Sequence, residues 1–408
     1  MQSPRFSSLQ AFLQRILASF QGNSHARTPW AGSLKEVCWL FLKLGAFAFG
    51  GPAVYIAMMH DEAVKRRGWM DNQTFLDLVG ATNLIPGPNA TEMAIYLGLL
   101  RAGWAGFLAA GVLFMLPGVL STLAIAWFYV AYGSMPQVGW ILHGIKPVVI
   151  AIVVQALWSL GRGGIKGPLT AAVGAGALAL YLLGFNEIAL IFMGAAVVLL
   201  VREGRRFWKG AAAASVVFPF LKAPAVALSG AAIPFSQTTL FLTFLKIGSV
   251  LYGSGYVLLA FLRADFVERL GWLTEQQLLD AIAAGNITPG PVFSSATFVG
   301  YLEGGLVGGL LATLGIFLPS FLFVAMLSRL FPWARRSSRA RAFLDGVNVA
   351  SLGLMAGVTW QLGQAAVMDG FTFALAVAAA ILVFRFRVNT AYLVLGGGIL
   401  GLVYGMVV

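Results

Sequence analysis

Apolar residues in this chain run in long blocks, and polar residues are confined to short stretches between them. Three stretches contain no Asp, Glu, Lys or Arg: Gly103 to Ile145, Gly167 to Asn186 and Val388 to Val408. A helix that spans a bilayer needs about 20 mostly apolar residues, so the first stretch is long enough for more than one crossing. Membrane β-strands would show short alternating segments instead. The pattern therefore predicts an all-α polytopic membrane protein.

The apolar blocks form two sets of about six with matching spacing. The first set lies at 37–59, 74–101, 104–131, 138–160, 167–184 and 187–201. The second set lies at 240–262, 277–303, 305–329, 342–362, 370–384 and 388–408. We divide the chain accordingly into an amphipathic N-terminal segment (1–33), a first membrane repeat (34–201), a linker (202–239) and a second membrane repeat (240–408).

The two sets also match residue by residue. The sequence FLKLG at 41–45 returns as FLKIG at 244–248, and NLIPGP at 83–88 returns as NITPGP at 286–291, both at a shift of 203 positions. A repeat of this kind indicates one structural unit present in two copies.

Basic residues indicate how the two copies are oriented, because Lys and Arg keep loops on the cytoplasmic side. The loop after the third block carries only Lys146 in the first copy but four arginines between 335 and 341 in the second. The loop after the fourth block reverses this, with Arg162 and Lys166 in the first copy and only Asp369 in the second. These differences predict inverted-topology repeats. Five spans plus a re-entrant hairpin per copy, or six spans plus a crossing linker, would satisfy the inversion, so the number of spans stays open between ten and thirteen.

Composition narrows the class of protein further. Of the 408 residues, 59% are hydrophobic and 10% are charged. The chain has a mean hydropathy of +0.85, so the lipid bilayer is its main solvent. The net charge of +12 fits basic cytoplasmic loops and not nucleic acid, since no soluble domain remains to bind it. The chain has one cysteine, three scattered histidines and no nucleotide-binding motif. We expect that the protein has no metal and no cofactor and is not an enzyme. The energy for transport would then come from ion gradients or the membrane potential.

Two Gly- and Pro-rich breaks recur in equivalent places of both copies. One is at Gly50-Gly51 in the first block, and the other is Pro86-Gly87-Pro88, which returns as Pro289-Gly290-Pro291. Secondary transporters with inverted repeats form their sites where such broken helices meet near the bilayer midplane. A helix that starts directly after the second break would present free N–H groups and a positive dipole end to an anion. A proline-kinked spanning helix without a ligand is the alternative.

The candidate site residues are polar and backbone groups near these breaks, together with one mid-segment lysine in each copy. A lysine at this depth costs about 2.5–3.5 kcal/mol unless it reaches the membrane surface, so a bound anion or snorkelling would explain it. The substrate-binding candidates are Lys43, Gly50, Gly51, Asn83, Pro86, Gly87, Pro88, Asn89, Thr91, Lys246, Asn286, Pro289, Gly290, Pro291 and Ser294. The ion-pair or proton-coupling candidates are Arg66, Asp77, Glu92, Arg269 and Asp280.

The acidic candidates have competing interpretations. Asp77 and Asp280 precede the second break and could pair with Arg66 and Arg269, pair with the lysines, or exchange protons. Glu92 fits a capping box with Asn89, three residues earlier. A carboxylate at an anion site would repel the substrate unless it were protonated.

Three first-copy motifs resemble the chromate ion transporter family: FGGP at 49–52, HDEAVKRRGW at 60–69 and NLIPGPN at 83–89. The resemblance covers both copies, as in the long two-domain members. It implies chromate efflux across the bacterial inner membrane as a resistance function, with sulfate as a competing tetrahedral dianion. The second copy departs from these motifs at Ser254-Gly255 and at Arg263-Ala264-Asp265, so the halves need not contribute equally. Transport of sulfate or another anion is the alternative, and a homodimer is left open.

Overall fold

The computed structural model describes residues 34–47, 52–207, 234–252, 255–334 and 338–407. The N-terminal segment 1–33, the break residues Gly50 and Gly51, and most of the linker lie outside these ranges. The described residues form α-helices, short 3₁₀ and π turns and connecting loops, and no strand occurs among them. The predicted all-α class is confirmed.

Each copy contributes seven α-helices to the described part of the chain. The first copy contains α1 (Leu34–Phe47), α2 (Pro52–His60), α3 (Asn72–Thr82), α4 (Asn89–Tyr132), α5 (Pro136–Gly164), α6 (Pro168–Leu182) and α7 (Glu187–Phe207). The second contains α8 (Gln237–Val250), α9 (Leu258–Leu262), α10 (Glu275–Ile287), α11 (Ser295–Ala334), α12 (Ser338–Ala366), α13 (Gly370–Arg385) and α14 (Thr390–Val407). Single π turns, Asp61–Arg66 and Arg263–Arg269, follow α2 and α9.

Five helical stretches in the described ranges are long and apolar enough to cross a membrane. They are Asn89–Tyr132, Pro136–Gly164, Val292–Ser328, Arg339–Ala366 and Thr390–Val407. The chain is therefore a multi-pass membrane protein.

The helices before the second break begin where their caps predict. The Asp71 side chain accepts a hydrogen bond from the Thr74 backbone N–H at 2.7 Å and starts α3. Thr274 and Gln277 form a reciprocal capping box at the start of α10, with bonds of 3.1 and 2.9 Å. An N-cap side chain therefore starts the helix before the second break in each copy. Helix α4 then starts directly after Pro88, whereas the second copy passes through a 3₁₀ turn at Val292–Ser294 before α11.

Helices α4 and α11 each fold back on themselves. Gly103 and Gly305 adopt left-handed angles (φ 62°, ψ −150° and φ 60°, ψ −152°) that only glycine adopts readily. Beyond each turn the chain returns so closely that a Cβ on Gly98 would collide with the carbonyl oxygen of Gly106. Gly300 and Gly308 make the same contact. We call the segments before and after the turns α4a (89–101) and α4b (104–132), and α11a (295–303) and α11b (306–334).

Short helices therefore flank each Pro-Gly-Pro break. At 1.5 Å per residue α3 and α4a are about 16 and 20 Å long, shorter than the hydrocarbon core of about 30 Å. Two short helices joined at the break and followed by a full-length return helix are typical of a re-entrant hairpin. In a re-entrant hairpin the break would lie part of the way across the apolar layer, which stays a prediction.

The two copies interlock through glycine contacts. A Cβ on Gly144 of α5 would collide with the carbonyl oxygen of Gly397 on α14. The corresponding position of the second copy, Gly346 on α12, would collide with backbone atoms of Gly194 and Ala195 on α7. Small residues allow close backbone approach, which is how helices associate where lipid supplies no hydrophobic driving force. The last helix of each copy thus packs against the other copy.

Ionisable residues of the two copies meet at two separate places. Lys166 and Arg202 of the first copy meet Asp345 of the second. Elsewhere, His143 meets Asp369, with 3.0 Å between Nε2 and Oδ2. The Thr372 backbone N–H donates to Asp369 and holds the pKa of that exposed carboxyl below its usual value. The inverted orientation of the two copies stays a prediction. Such an orientation would bring these regions of the two copies together in two groups.

Candidate functional site

Each Pro-Gly-Pro break packs against the long helix of the other copy. A Cβ on Gly118 of α4b would lie 2.5 Å from the carbonyl oxygen of Pro289. In the reciprocal contact, a Cβ on Gly87 would lie 2.7 Å from the hydroxyl of Ser320 on α11b. Gly118 and Ser320 each follow a helix proline, Pro117 and Pro319. The two breaks are therefore brought into one central region between α4b and α11b.

Hydrogen bonds between the copies fix the backbone of both breaks. The N–H of Gly87 donates to the carbonyl of Leu251 at 2.8 Å. The Tyr55 hydroxyl donates to the carbonyl of Gly290. The hydroxyl of Thr122 on α4b donates to that of Thr288 at 3.3 Å. Each break is thereby hydrogen-bonded to the other copy.

Residues on either side of the first break line a cavity, whereas the equivalent asparagine of the second break is buried. Asn83 is exposed, its side chain bonds to that of Asn89, and both line a cavity of about 770 Å³. The equivalent Asn286 is buried, accepts a hydrogen bond from Tyr256 at 3.2 Å, and donates to the Ile282 carbonyl at 2.9 Å. Of the two predicted asparagines, Asn83 is therefore exposed and Asn286 is not.

Other candidates of the second break are also enclosed. Gly290, Pro291 and Ser294 are buried, and Pro289 is partly buried. The Ser294 hydroxyl bonds to that of Thr288 at 3.4 Å. Pro86, Gly87 and Pro88 of the first break are buried beneath the cavity wall that Asn83 and Asn89 form. Accessible polar groups for a ligand therefore belong to the first break.

Cationic side chains surround the cavity. Lys166 from the loop after α5, Arg202 on α7 and Arg341 on α12 line it, together with one carboxylate, Asp345. The Lys166 Nζ lies 2.7 Å from Asp345, and Arg202 pairs with the other carboxylate oxygen. The excess of positive charge attracts an anion from solution. None of these side chains was among the sequence-based candidates, although Lys166 and Arg341 belong to the basic loops that the sequence predicts on the cytoplasmic side.

A buried ion pair joins α10 of the second copy to α5 of the first. Asp280 on α10 lies 3.2 Å from Lys146 on α5, and their side chains are 3% and 13% exposed. The Tyr129 hydroxyl donates to the same carboxylate at 3.0 Å, and Lys146 donates to Gln276 at 2.7 Å. Asp280 therefore pairs with a lysine that was not among its predicted partners. Its first-copy equivalent, Asp77, is only partly buried and accepts from Gln73 at 3.2 Å.

The two predicted lysines make equivalent ion pairs outside the main cavity. Lys43 lies 3.3 Å from Glu62, and Lys246 lies 2.6 Å from Asp265. Lys43 lines a separate cavity of about 550 Å³ with both Glu62 and Arg66. The structure thus places Lys43 in a different cavity from Asn83.

The arginine candidates join the same clusters. Arg66 pairs with Asp61 and Glu62, and Arg269 pairs with Asp265 at 2.8 Å. The arginines thus pair with acidic residues that follow α2 and α9. Glu62 and Asp265 were missed, although an acidic residue recurs at the repeat shift of 203 positions.

Glu92 is enclosed between the first break and the second copy. It is 0% exposed, and within the described ranges the polar group beside its carboxylate is the Ser320 hydroxyl, without a hydrogen bond of normal geometry. The hydroxyl of the neighbouring Thr91 is also buried and unpartnered. The predicted capping box with Asn89 is wrong: Pro88 occupies the cap position, and the Asn89 side chain bonds to Asn83.

A multi-pass helical membrane protein with broken helices around a cationic central cavity belongs to the class of membrane transport proteins. The chromate transporter family model matches residues 35–200 and again residues 238–402. The chain therefore belongs to the chromate transporter family, and the family unit occurs twice.

Curated relatives cover almost the whole chain. A probable chromate transport protein of Synechococcus elongatus is 31% identical over 86% of this chain and 90% of the relative. The chromate transport protein of Cupriavidus metallidurans is 30% identical over 91% of this chain and 93% of the relative. That of Pseudomonas aeruginosa is 31% identical over 88% and 90%, respectively. No solved structure matches this chain.

Proposed function

We propose that this chain is a secondary transporter that exports chromate across the bacterial inner membrane and thereby confers chromate resistance. The observation that carries the proposal is the cavity of about 770 Å³, which joins Lys166, Arg202 and Arg341 to the amides at the first break. The names of the relatives support chromate as the substrate. The burial of the second break supports an arrangement in which access to the site is closed on the side opposite the cavity.

The geometry suggests how such transport would proceed. The cations concentrate a dianion in the cavity, and the Asn83 and Asn89 amides offer hydrogen-bond donors beside the start of α4a. Because each break packs against the long helix of the other copy, opening the second break would close the first. Exchange of the two arrangements gives alternating access around one site.

The membrane potential favours export of a dianion from an inside-negative cell. Each elementary charge contributes about 2.3 kcal/mol per 100 mV, so two charges contribute about 4.6 kcal/mol. Nucleotide hydrolysis is then unnecessary. Sulfate has the same charge and tetrahedral shape as chromate, and the cavity donors suit both anions, so sulfate transport is the second candidate.

Labelled chromate uptake into inverted vesicles tests the proposal, since entry into such vesicles corresponds to export. We expect potential-driven uptake, inhibited by sulfate only at higher concentration. Sulfate uptake that exceeds chromate uptake would favour the second candidate, and absence of either flux would refute transport by this chain.

The variant Asn83→Ala tests the position of the site. We expect about a tenfold loss of uptake, because one hydrogen bond to a charged ligand is worth about 1.5–3 kcal/mol and 1.4 kcal/mol corresponds to a factor of ten. The control Asn72→Ala removes an exposed amide at the opposite end of α3 and should leave uptake unchanged. Equal uptake in both variants would place the site elsewhere.

A further inference from the structure

Poorly satisfied buried polar groups cluster at the two breaks. Among the described residues, the hydroxyls of Thr91 and Ser295 have no hydrogen-bond partner, and the Glu92 carboxylate and the Ser320 hydroxyl face each other without a hydrogen bond of normal geometry. All four residues are at most 1% exposed. Buried polar groups are normally hydrogen-bonded, so a cluster of poorly satisfied groups indicates a functional role. Only one member of the cluster can carry a charge, and that is Glu92.

Glu92 lies where the copies contact each other. A Cβ on Gly87 would collide with Glu92 Oε1 and would also contact the Ser320 hydroxyl, so both groups face the same point of the first break. Gly87 has a φ of 135°, which favours glycine, and a side chain there would have to displace the Glu92 carboxyl group and the Ser320 hydroxyl. The carboxyl group is thereby held against the segment that must move if access alternates.

The surroundings of Glu92 do not neutralise an ionised carboxylate. No cationic side chain pairs with it in the described part of the chain. The element packed against it from α11b presents the neutral Ser320, and the segment after α8 presents the phenol of Tyr252. Ionised carboxylates are very costly to bury without a partner, whereas the protonated form is not. In the enclosed arrangement the carboxyl group therefore holds a proton.

Proton binding and anion binding should support each other at this place. Asn89, which lines the cavity, is in the same helical turn as Glu92. A dianion next to the N-terminus of α4a would be repelled by an ionised Glu92 and accepted by a protonated one. The second copy has Ser295 at the position of Glu92, so the two copies together supply one such carboxyl group.

We propose that Glu92 is the proton-binding site of this transporter and that one proton crosses in the same direction as each anion. This inference rests on the proposed transport function and adds the sign and stoichiometry of coupling. One proton accompanying a dianion halves the net charge moved per anion. A pH gradient alone, with the membrane voltage clamped at zero, should then accumulate the anion on the alkaline side.

The test uses proteoliposomes that contain the full chain, with chromate as the transported anion and potassium with valinomycin to set the voltage. Charge movement and labelled chromate flux are measured together. We expect about one net charge per chromate for the unchanged protein and about two for Glu92→Gln, which also loses accumulation driven by the pH gradient. Glu303→Gln serves as the matched control, because it removes a partly buried carboxyl group at the far end of α11a.

The outcomes separate this inference from the proposed function. Chromate flux with two charges per anion in the unchanged protein, or accumulation on the acidic side, would overturn proton co-transport and leave chromate transport intact. No flux in the unchanged protein would refute the transport function itself. If Glu92→Gln fails to fold, the charge ratio and pH-gradient response of the unchanged protein still decide the sign of coupling.

Discussion

The buried ion pair of Lys146 and Asp280 allows a stringent test of what holds α10, the helix before the second break, against the first copy. Asp280→Asn preserves the shape of the side chain and an acceptor for Tyr129, but it leaves the Lys146 ammonium in a largely buried place with only Gln276 as a partner. At 3.2 Å and an effective dielectric constant of 20, the lost Coulomb attraction is about 5 kcal/mol. Removing one member of a buried pair costs about 3–5 kcal/mol. We therefore expect Asp280→Asn to lower the free energy of unfolding by about 3 kcal/mol.

The double variant Lys146→Met with Asp280→Asn should recover most of that loss, because it removes the unpaired charge. Reversible unfolding by sodium dodecyl sulfate in mixed micelles, followed by tryptophan fluorescence, measures the free energies. The control Asp77→Asn changes the equivalent but more exposed first-copy position and should cost less than about 1 kcal/mol. A loss below 1 kcal/mol for Asp280→Asn, or a double variant as unstable as the sum of the single variants, would refute the reasoning.

Two further predictions concern the hairpin and the cavity. Gly98→Val should reduce the yield of folded protein several-fold, because its Cβ collides with the Gly106 carbonyl, whereas Gly176→Val has open space and should be tolerated. Size-exclusion chromatography in detergent measures the yield of folded protein. A normal yield of Gly98→Val would contradict the close contact within the hairpin. Arg202→Gln should raise the chromate concentration for half-maximal uptake about three- to tenfold, as expected for about 1 kcal/mol of lost attraction. Arg162→Gln removes an exposed charge outside the cavity lining, and an equal effect of both variants would show that general surface charge is responsible.

Local features of the fold were predictable from the sequence because they depend on neighbouring residues. The Asp71 and Thr274 caps and the start of α4 after Pro88 follow from backbone hydrogen-bonding needs within a few positions. The membrane class follows from long apolar runs, and the repetition follows from matching residues at a constant shift. Even the turns lie at the gaps between apolar blocks: Gly103 falls within a gap, and Gly305 directly follows one.

Ion-pair partners could not be assigned in this way. Lys246 pairs with Asp265, 19 positions away, while Lys146 pairs with Asp280, 134 positions away in the other copy. Sequence spacing determines neighbours along one helix, but the partner across a helix interface depends on how the helices pack. The glycine contacts that interlock the copies decide that packing.

The sequence by itself determined the helical membrane class, the two copies and the paired breaks, because each depends on apolar length or local backbone chemistry. Only the tertiary structure decided that Asn83 is exposed while Asn286 is buried, since identical motifs differ by what the rest of the chain packs against them. It likewise decided that Glu92 is enclosed and not a helix cap. Burial is a property of the assembled helices, and it turns an ordinary acidic residue into the candidate for proton coupling.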